Sequence, residues 1–487
     1  MPFIERNVLK MRLLQKEGTS GKNLPLLLLF VVGVIEFLFI TLESQFSGIG
    51  YYLAENYVIV PCLLLLGYGL QQKQTAFARR RLLLAGAAIS WFVIAQCIHT
   101  LSGMENHPMG TVFLVYLMAF PFASVAEDHE NAGLRLMGGV FVAAALVLVG
   151  YSFLMLLDMV PGSMKNYLFW DGARLNALWH PNIVAGYLMI GIGFSLAFCA
   201  MTRKKEIRVL MVAAIVLQLA AMALTNCRTT LLLTGAMLGG TLFFVIIRKG
   251  GWIRFVLGLM VAGLVLVGSF KVTGKLFQWN NDRLLESFSA AQAEVPAETV
   301  AEEAVATEAP AEVAPVEAPA AKEQFILEET GVLTGDNEQR GLAEDMRSLN
   351  GRTQIWEAAL KVLKNDKSIL LWGTEYSGTM ISIYHWFDVV HAHNSWLETQ
   401  MRMGLPGLMM ALVFTVLSAW SAAKLLLSAK TELWKKVVAM LAMCVMASGF
   451  LEPYLFITNV YYHVTDFVFF FLTGYLDFWS NCKQKNQ

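Results

Sequence analysis

PNIVAGYLMIGIGFSLAFCAMTRKKEIRVLMVAAIVLQLAAMALTNCRTTLLLTGAMLGGTLFFVIIRKGGWIR, residues 181–254, holds three apolar runs parted by TRKKEIR (202–208) and NCR (226–228) and closed by RKGGWIR (248–254). A bilayer core about 30 Å thick takes about 20 apolar residues per helix, so each run reads as one span. Short loops that remain in the cytoplasm keep their Lys and Arg. TRKKEIR and RKGGWIR therefore lie inside, and the tight turn at Asn226-Cys227-Arg228 lies outside.

The same alternation extends over the whole chain. Of 487 residues, 56% are hydrophobic and 15% charged, against about 25% charged in a soluble domain. About twelve segments qualify as spans: 23–42, 51–70, 81–101, 108–126, 134–157, 181–201, 208–226, 229–247, 254–272, 404–426, 436–452 and 457–479. With that count every basic cluster falls on one side, including the N-terminus, Arg79-Arg80-Arg81, Lys424–Lys436 and the C-terminal lysines. The expected fold is all-α, a polytopic membrane protein of about twelve helices in the cytoplasmic membrane with both termini cytoplasmic. The basic N-terminus precedes a full-length span without a small-residue cleavage site, which predicts a retained helix rather than a signal peptide. Lys plus Arg equals Asp plus Glu, 37 each, so net charge points to no nucleic acid. The six cysteines are scattered, mostly in apolar runs, without metal-ligand spacing, and read as packing residues.

Three regions follow: nine helices over 1–272, one large extracytoplasmic loop over 273–403, and three helices with a cytoplasmic tail over 404–487. Within the loop, 291–322 (AQAEVPAETVAEEAVATEAPAEVAPVEAPAAK) lacks aromatics and cannot bury enough surface to fold, so a disordered tether is expected. The segment 348–398 differs. Ile355, Trp356, Ala359, Leu360 and Leu363 form one helical stripe, a pattern suited to a helix lying on the membrane surface with Arg352 near the headgroups.

The polar residues of the outward loops are the candidates for chemistry. Arg228 opens a span on the outer side, where a cation opposes the helix dipole; an anionic ligand or a lipid phosphate would relieve it. Arg174 precedes His180-Pro181-Asn182, where Pro181 and Asn182 suit a helix start, and Arg174 is either a second anion contact or a solvated loop charge. Arg352 is followed by Trp356. Guanidinium groups grip phosphates bidentately and keep their charge, so three outward arginines make a clamp for a diphosphate. His391-Ala-His393-Asn394-Ser-Trp-Leu-Glu398 supplies imidazoles able to take a proton from an attacking hydroxyl; chemistry alone does not rank His391 against His393. Glu36, His463 and Asp466 are ionisable groups within spans, and a transporter would depend on them. The chain lacks a DxD pair, a P-loop, a GxSxG elbow and HExxH.

Taken together, Arg174 with His180-Pro181-Asn182, Cys227-Arg228-Thr229 opening a span, Gly351-Arg352 with Trp356 and Gly373, and His391-Ala-His393-Asn394-Ser-Trp-Leu followed by Gly404-Leu-Pro-Gly resemble the O-antigen ligase and polymerase superfamily of bacterial envelope glycosyltransferases. The resemblance covers roughly residues 170–425. It implies a metal-independent, cofactor-free, inverting transfer of a glycan from undecaprenyl diphosphate to a glycan, lipid or wall-polymer acceptor on the outer membrane face. It assigns His393 as base and Arg228 and Arg352 as diphosphate ligands; Arg174, His391, Asn394 and Trp356 are the further expected substrate contacts. Cys227, where the pattern often has a small polar residue, and the acidic insert both depart from it. A ligase, a repeat-unit polymerase, a transporter and a cell-wall polymerase relying on an external acid are the alternatives.

Overall fold

The computed structural model describes residues 24–42, isolated positions between 87 and 98, 131–157, 159, 170–171, 174–175, 180–248, 250–294, 352–374, 376–385, 389–452, 455–456 and 463–481. These are mostly helical, joined by short turns and loops, with one two-residue antiparallel pair. In chain order they form α1 (Leu24–Leu42), α2 (Ala132–Leu156), β1 (Trp170–Asp171), β2 (Arg174–Leu175), α3 (Pro181–Met201), α4 (Lys205–Leu224), α5 (Arg228–Ile247) and α6 (Trp252–Glu294). Then come α7 (Arg352–Asn365), α8 (Lys367–Trp372), α9 (Ser377–Ser382), α10 (Ser395–Leu427), α11 (Leu433–Ser448) and α12 (His463–Asn481).

Among the described residues seven helices are long and apolar enough to cross a membrane: α1 to α5, Trp252–Asn280 of α6, and α10. Each corresponds to one expected span. The expected spans 51–70 and 108–126, and nearly all of 81–101, lie outside the described residues. The last two expected spans meet α11 and α12, which are not among the seven; α11 has only 16 residues.

α3 is the centre of the bundle, packed against α2, α4 and α11. Small residues let these helices approach: a Cβ on Gly193 would stand 2.6 Å from the Leu441 side chain, and one on Gly239 of α5 2.7 Å from the Ala262 carbonyl of α6. Such contacts suit helices in lipid, where close backbone approach replaces the hydrophobic drive available in water. Phe467, Phe469, Phe470 and Phe471 of α12 are fully buried in the same core.

Two boundaries and the setting of one helix differ from the sequence expectation. α6 continues past 272 to Glu294, so the large loop begins helical and 291–294 belong to that helix rather than to a disordered tether; the rest of 291–322 lies outside the described residues. α10 begins at Ser395 instead of 404, with a break at Gly404 (φ 69°) and Pro406 just beyond. Proline removes one helical hydrogen bond and clashes with the preceding turn, which localises the break. α7 is helical as its periodicity predicts, but its stripe does not lie on lipid. Ile355, Ala358, Ala359, Val362 and Leu363 are buried in a second core with Ile369 of α8, Ile381 of α9, Val389, Ala392 and Met401, while Leu360 is exposed. Periodicity reveals an apolar face and not what covers it.

Candidate functional site

The starts of α3, α5, α7 and α10 and the end of α11 meet at one end of the bundle, around a residue that the sequence analysis did not select. Glu452 follows α11 in a turn and is 2% exposed. One carboxylate oxygen, Oε1, accepts from Arg352 Nη2 and from Asn182 Nδ2 at 2.8 Å. The other, Oε2, lies 3.5 Å from His393 Nδ1. Asn182 turns its own oxygen to Arg174 Nη2 at 2.6 Å, and Arg174 Nε donates to the Thr225 carbonyl at 2.9 Å. Asn182 therefore bridges Arg174 and Glu452. The helix-start role expected for it belongs instead to His180, whose Nδ1 accepts from the Asn182 backbone N–H at 3.3 Å.

Arg228 is the first residue of α5, within the electrostatic field of Arg174. Its neighbour Cys227 is buried and feels both Glu452 and Arg174. The structure thus gathers Arg352 and His393 around one carboxylate, with Arg174 joined to it through Asn182 and Arg228 within the field of Arg174. Burial by itself pushes the Glu452 carboxyl up; His393, 3.5 Å away, then the charge of Arg352 and of His391, outweigh it and hold the group at about 2.

The histidine loop is held from the far side. Glu398, in the first turn of α10 and fully buried, accepts from Ser377 Oγ at 2.5 Å, Arg402 Nε at 2.6 Å and the Ala392 backbone N–H at 2.8 Å. Asn394 caps α10 by accepting from the N–H groups of Trp396 (3.1 Å) and Leu397 (3.0 Å), and its Nδ2 donates to the Phe450 carbonyl at 3.0 Å. Expected as a substrate contact, Asn394 has both ends of its amide engaged by protein. Ser395 joins the loop to the Glu452 turn: its backbone N–H donates to the Gly449 carbonyl at 2.8 Å, its hydroxyl donates to the Glu452 carbonyl at 3.0 Å and accepts from the Leu455 N–H at 2.9 Å.

These restraints put His393 in a left-handed conformation, φ 47°, a region costing a non-glycine residue on the order of 1–3 kcal/mol and found mostly where surrounding structure over-determines it. The two histidines are not equivalent. His391 is buried, its ring centroid 4.2 Å from that of His393, and its Nδ1 accepts the His393 backbone N–H at 3.3 Å. Burial, then the neighbouring His393, lower its pKa to about 4, against partial opposition from Glu398 and Glu452. His393 keeps 31% of its side chain accessible. Nδ1 is the nitrogen turned to the carboxylate, at 3.5 Å, so Nε2 is the one turned away from it.

Trp356 stands one turn after Arg352 on the same edge of α7, with its indole Nε1 buried. Arg352 itself is only 14% accessible along its side chain. Among the described residues no group of three or more His, Cys, Asp or Glu is placed to hold a metal ion. Glu36 and Asp466, on which a transporter would rely, are buried in the bundle, and Asp466 Oδ1 accepts the Phe456 N–H at 2.8 Å.

The single sequence signal for Glu452 was a carboxylate ending an apolar run. Nothing in its spacing ties it to a histidine 59 positions earlier.

Residues 213–412 match the family described as O-antigen ligase. The matched stretch contains Arg228, Arg352, Trp356, His391, His393 and Asn394; Arg174, Asn182 and Glu452 stand outside it and join through the fold. No curated protein matches the chain.

Proposed function

We propose, from the premise that this membrane protein carries an O-antigen ligase domain, that it transfers a glycan from a polyprenyl diphosphate such as undecaprenyl diphosphate to an acceptor hydroxyl outside the cytoplasmic membrane. The observation that carries the reading is the set His393, Glu452 and Arg352, joined with Arg174 and Arg228. The carboxylate faces one imidazole nitrogen and orients the ring; the other nitrogen is available as general base.

Charge supports the same chemistry. Arg174, Arg228 and Arg352 against Glu452 leave the site two positive charges in excess while His393 is neutral. A glycosyl diphosphate diester carries two negative charges. As the acceptor oxygen attacks the anomeric carbon, its proton passes to His393 Nε2 and the bond from that carbon to the diphosphate oxygen breaks. The leaving diphosphate now carries three negative charges, and the site, with an imidazolium, three positive ones. The bound site is neutral before and after, so charge developing on the leaving group meets preset partners rather than water. Attack opposite the diphosphate inverts the anomeric centre.

The test is glycan analysis of cells carrying His393→Ala or Arg352→Ala. Both lose surface glycan while the protein still inserts; unchanged glycan ladders in both overturn the proposal. A ligase defect leaves long glycan on the lipid carrier, and a polymerase defect leaves single repeat units.

A further inference from the structure

Among the described residues, two donor-only groups on α7 beside the site have nothing to donate to. Arg352 spends Nη2 on Glu452, yet its Nε is buried without a partner, and so is the indole Nε1 of Trp356. The large majority of buried side-chain polar groups in proteins are paired, and one left unsatisfied keeps its full desolvation penalty. Both orphans lie on one edge of α7, four residues and therefore about 6 Å of helix rise apart. Both are donors only, so an acceptor oxygen must satisfy each. Their position next to an excess of cationic charge makes an anionic oxygen the fitting partner.

We propose that Trp356 is a binding residue for the second, lipid-side phosphate of a polyprenyl diphosphate, with Arg352 Nε on the sugar-side phosphate. This deepens the proposed function and rests on it. The helix edge then measures the ligand: one phosphate reaches Arg352, and only a diphosphate reaches on to the indole. Trp356 acts through its N–H, not only through its ring, and distinguishes a lipid diphosphate from a lipid monophosphate.

The experiment is binding of undecaprenyl diphosphate and undecaprenyl monophosphate to the full-length protein in nanodiscs, comparing wild type with Trp356→Phe. The variant is expected to bind the diphosphate roughly 10- to 100-fold more weakly, the effect of one hydrogen bond to a charged group, with the monophosphate unchanged. Benzothienylalanine at position 356, which keeps the indole shape without its N–H, reproduces this if the donor is what matters. Equal weakening toward both lipids, or none toward either, overturns the proposal. Wild-type protein that fails to prefer the diphosphate overturns instead the reading of the donor on which the proposal rests.

Discussion

Glu452→Gln separates the charge of the carboxylate from its shape. The amide fills the same volume and still accepts from Asn182, but leaves Arg352 without its counter-ion at 14% side-chain accessibility. Removing one partner of a buried pair costs about 3–5 kcal/mol. The Glu452 carboxyl titrates at about 2 in the folded protein, below its ordinary 4.5, so the same pair also links stability to pH. Because the folded value is depressed, that stability is present above pH 4.5 and is lost as pH falls toward 2. The variant should therefore melt well below wild type at neutral pH and show a flatter decline between pH 4.5 and 2. Transfer should fall further than stability explains, by about 10²- to 10⁴-fold, since His393 loses the group that orients it and balances its protonated form. Melting of the detergent-solubilised protein by intrinsic fluorescence, with glycan transfer at a temperature where both proteins are folded, measures the two effects. Wild-type melting together with wild-type transfer would refute the assignment of Glu452 as the partner of His393.

Three further outcomes follow from the same geometry. His391 titrates at about 4 when folded against 6.5 when unfolded, so the unfolded chain takes up the proton first and stability is lost as pH falls from 6.5 to 4; in His391→Gln this limb of the pH-melting curve should flatten. Asn182→Ala removes the bridge between Arg174 and Glu452 and should lower transfer about tenfold, the value of one hydrogen bond to a charged group, with Asn182→Asp failing to restore it because it sets a second carboxylate against Glu452. Gly404→Ala adds a Cβ against the Leu371 carbonyl at φ 69° and should cost more than the 1–2 kcal/mol of a left-handed residue, read as a lowered melting temperature.

Much of the site was legible because its members carry rare chemistry in an apolar chain. Arg228, Arg352 and His393 announce themselves as cations or imidazoles at or just before helix starts. Glu452 and Asn182 do not, because their roles exist only across contacts 270 residues apart in sequence. The rule that an ionisable group inside a span is functional applied to Glu36 and Asp466, and Glu452 was passed over as the end of a span. The stripe of α7 shows a different limit. Its period correctly gave the helix, yet an apolar face asks only to leave water, and the protein core of α8 to α10 covers it as well as lipid would.

Ser395 carries a consequence of another kind. Its three hydrogen bonds stitch the base of the histidine loop to the turn that bears Glu452. A substitution at either end of this stitch, in the histidine loop or in the turn after α11, therefore reaches the other end, and the spacing of imidazole and carboxylate is a property of the pair of segments rather than of either one.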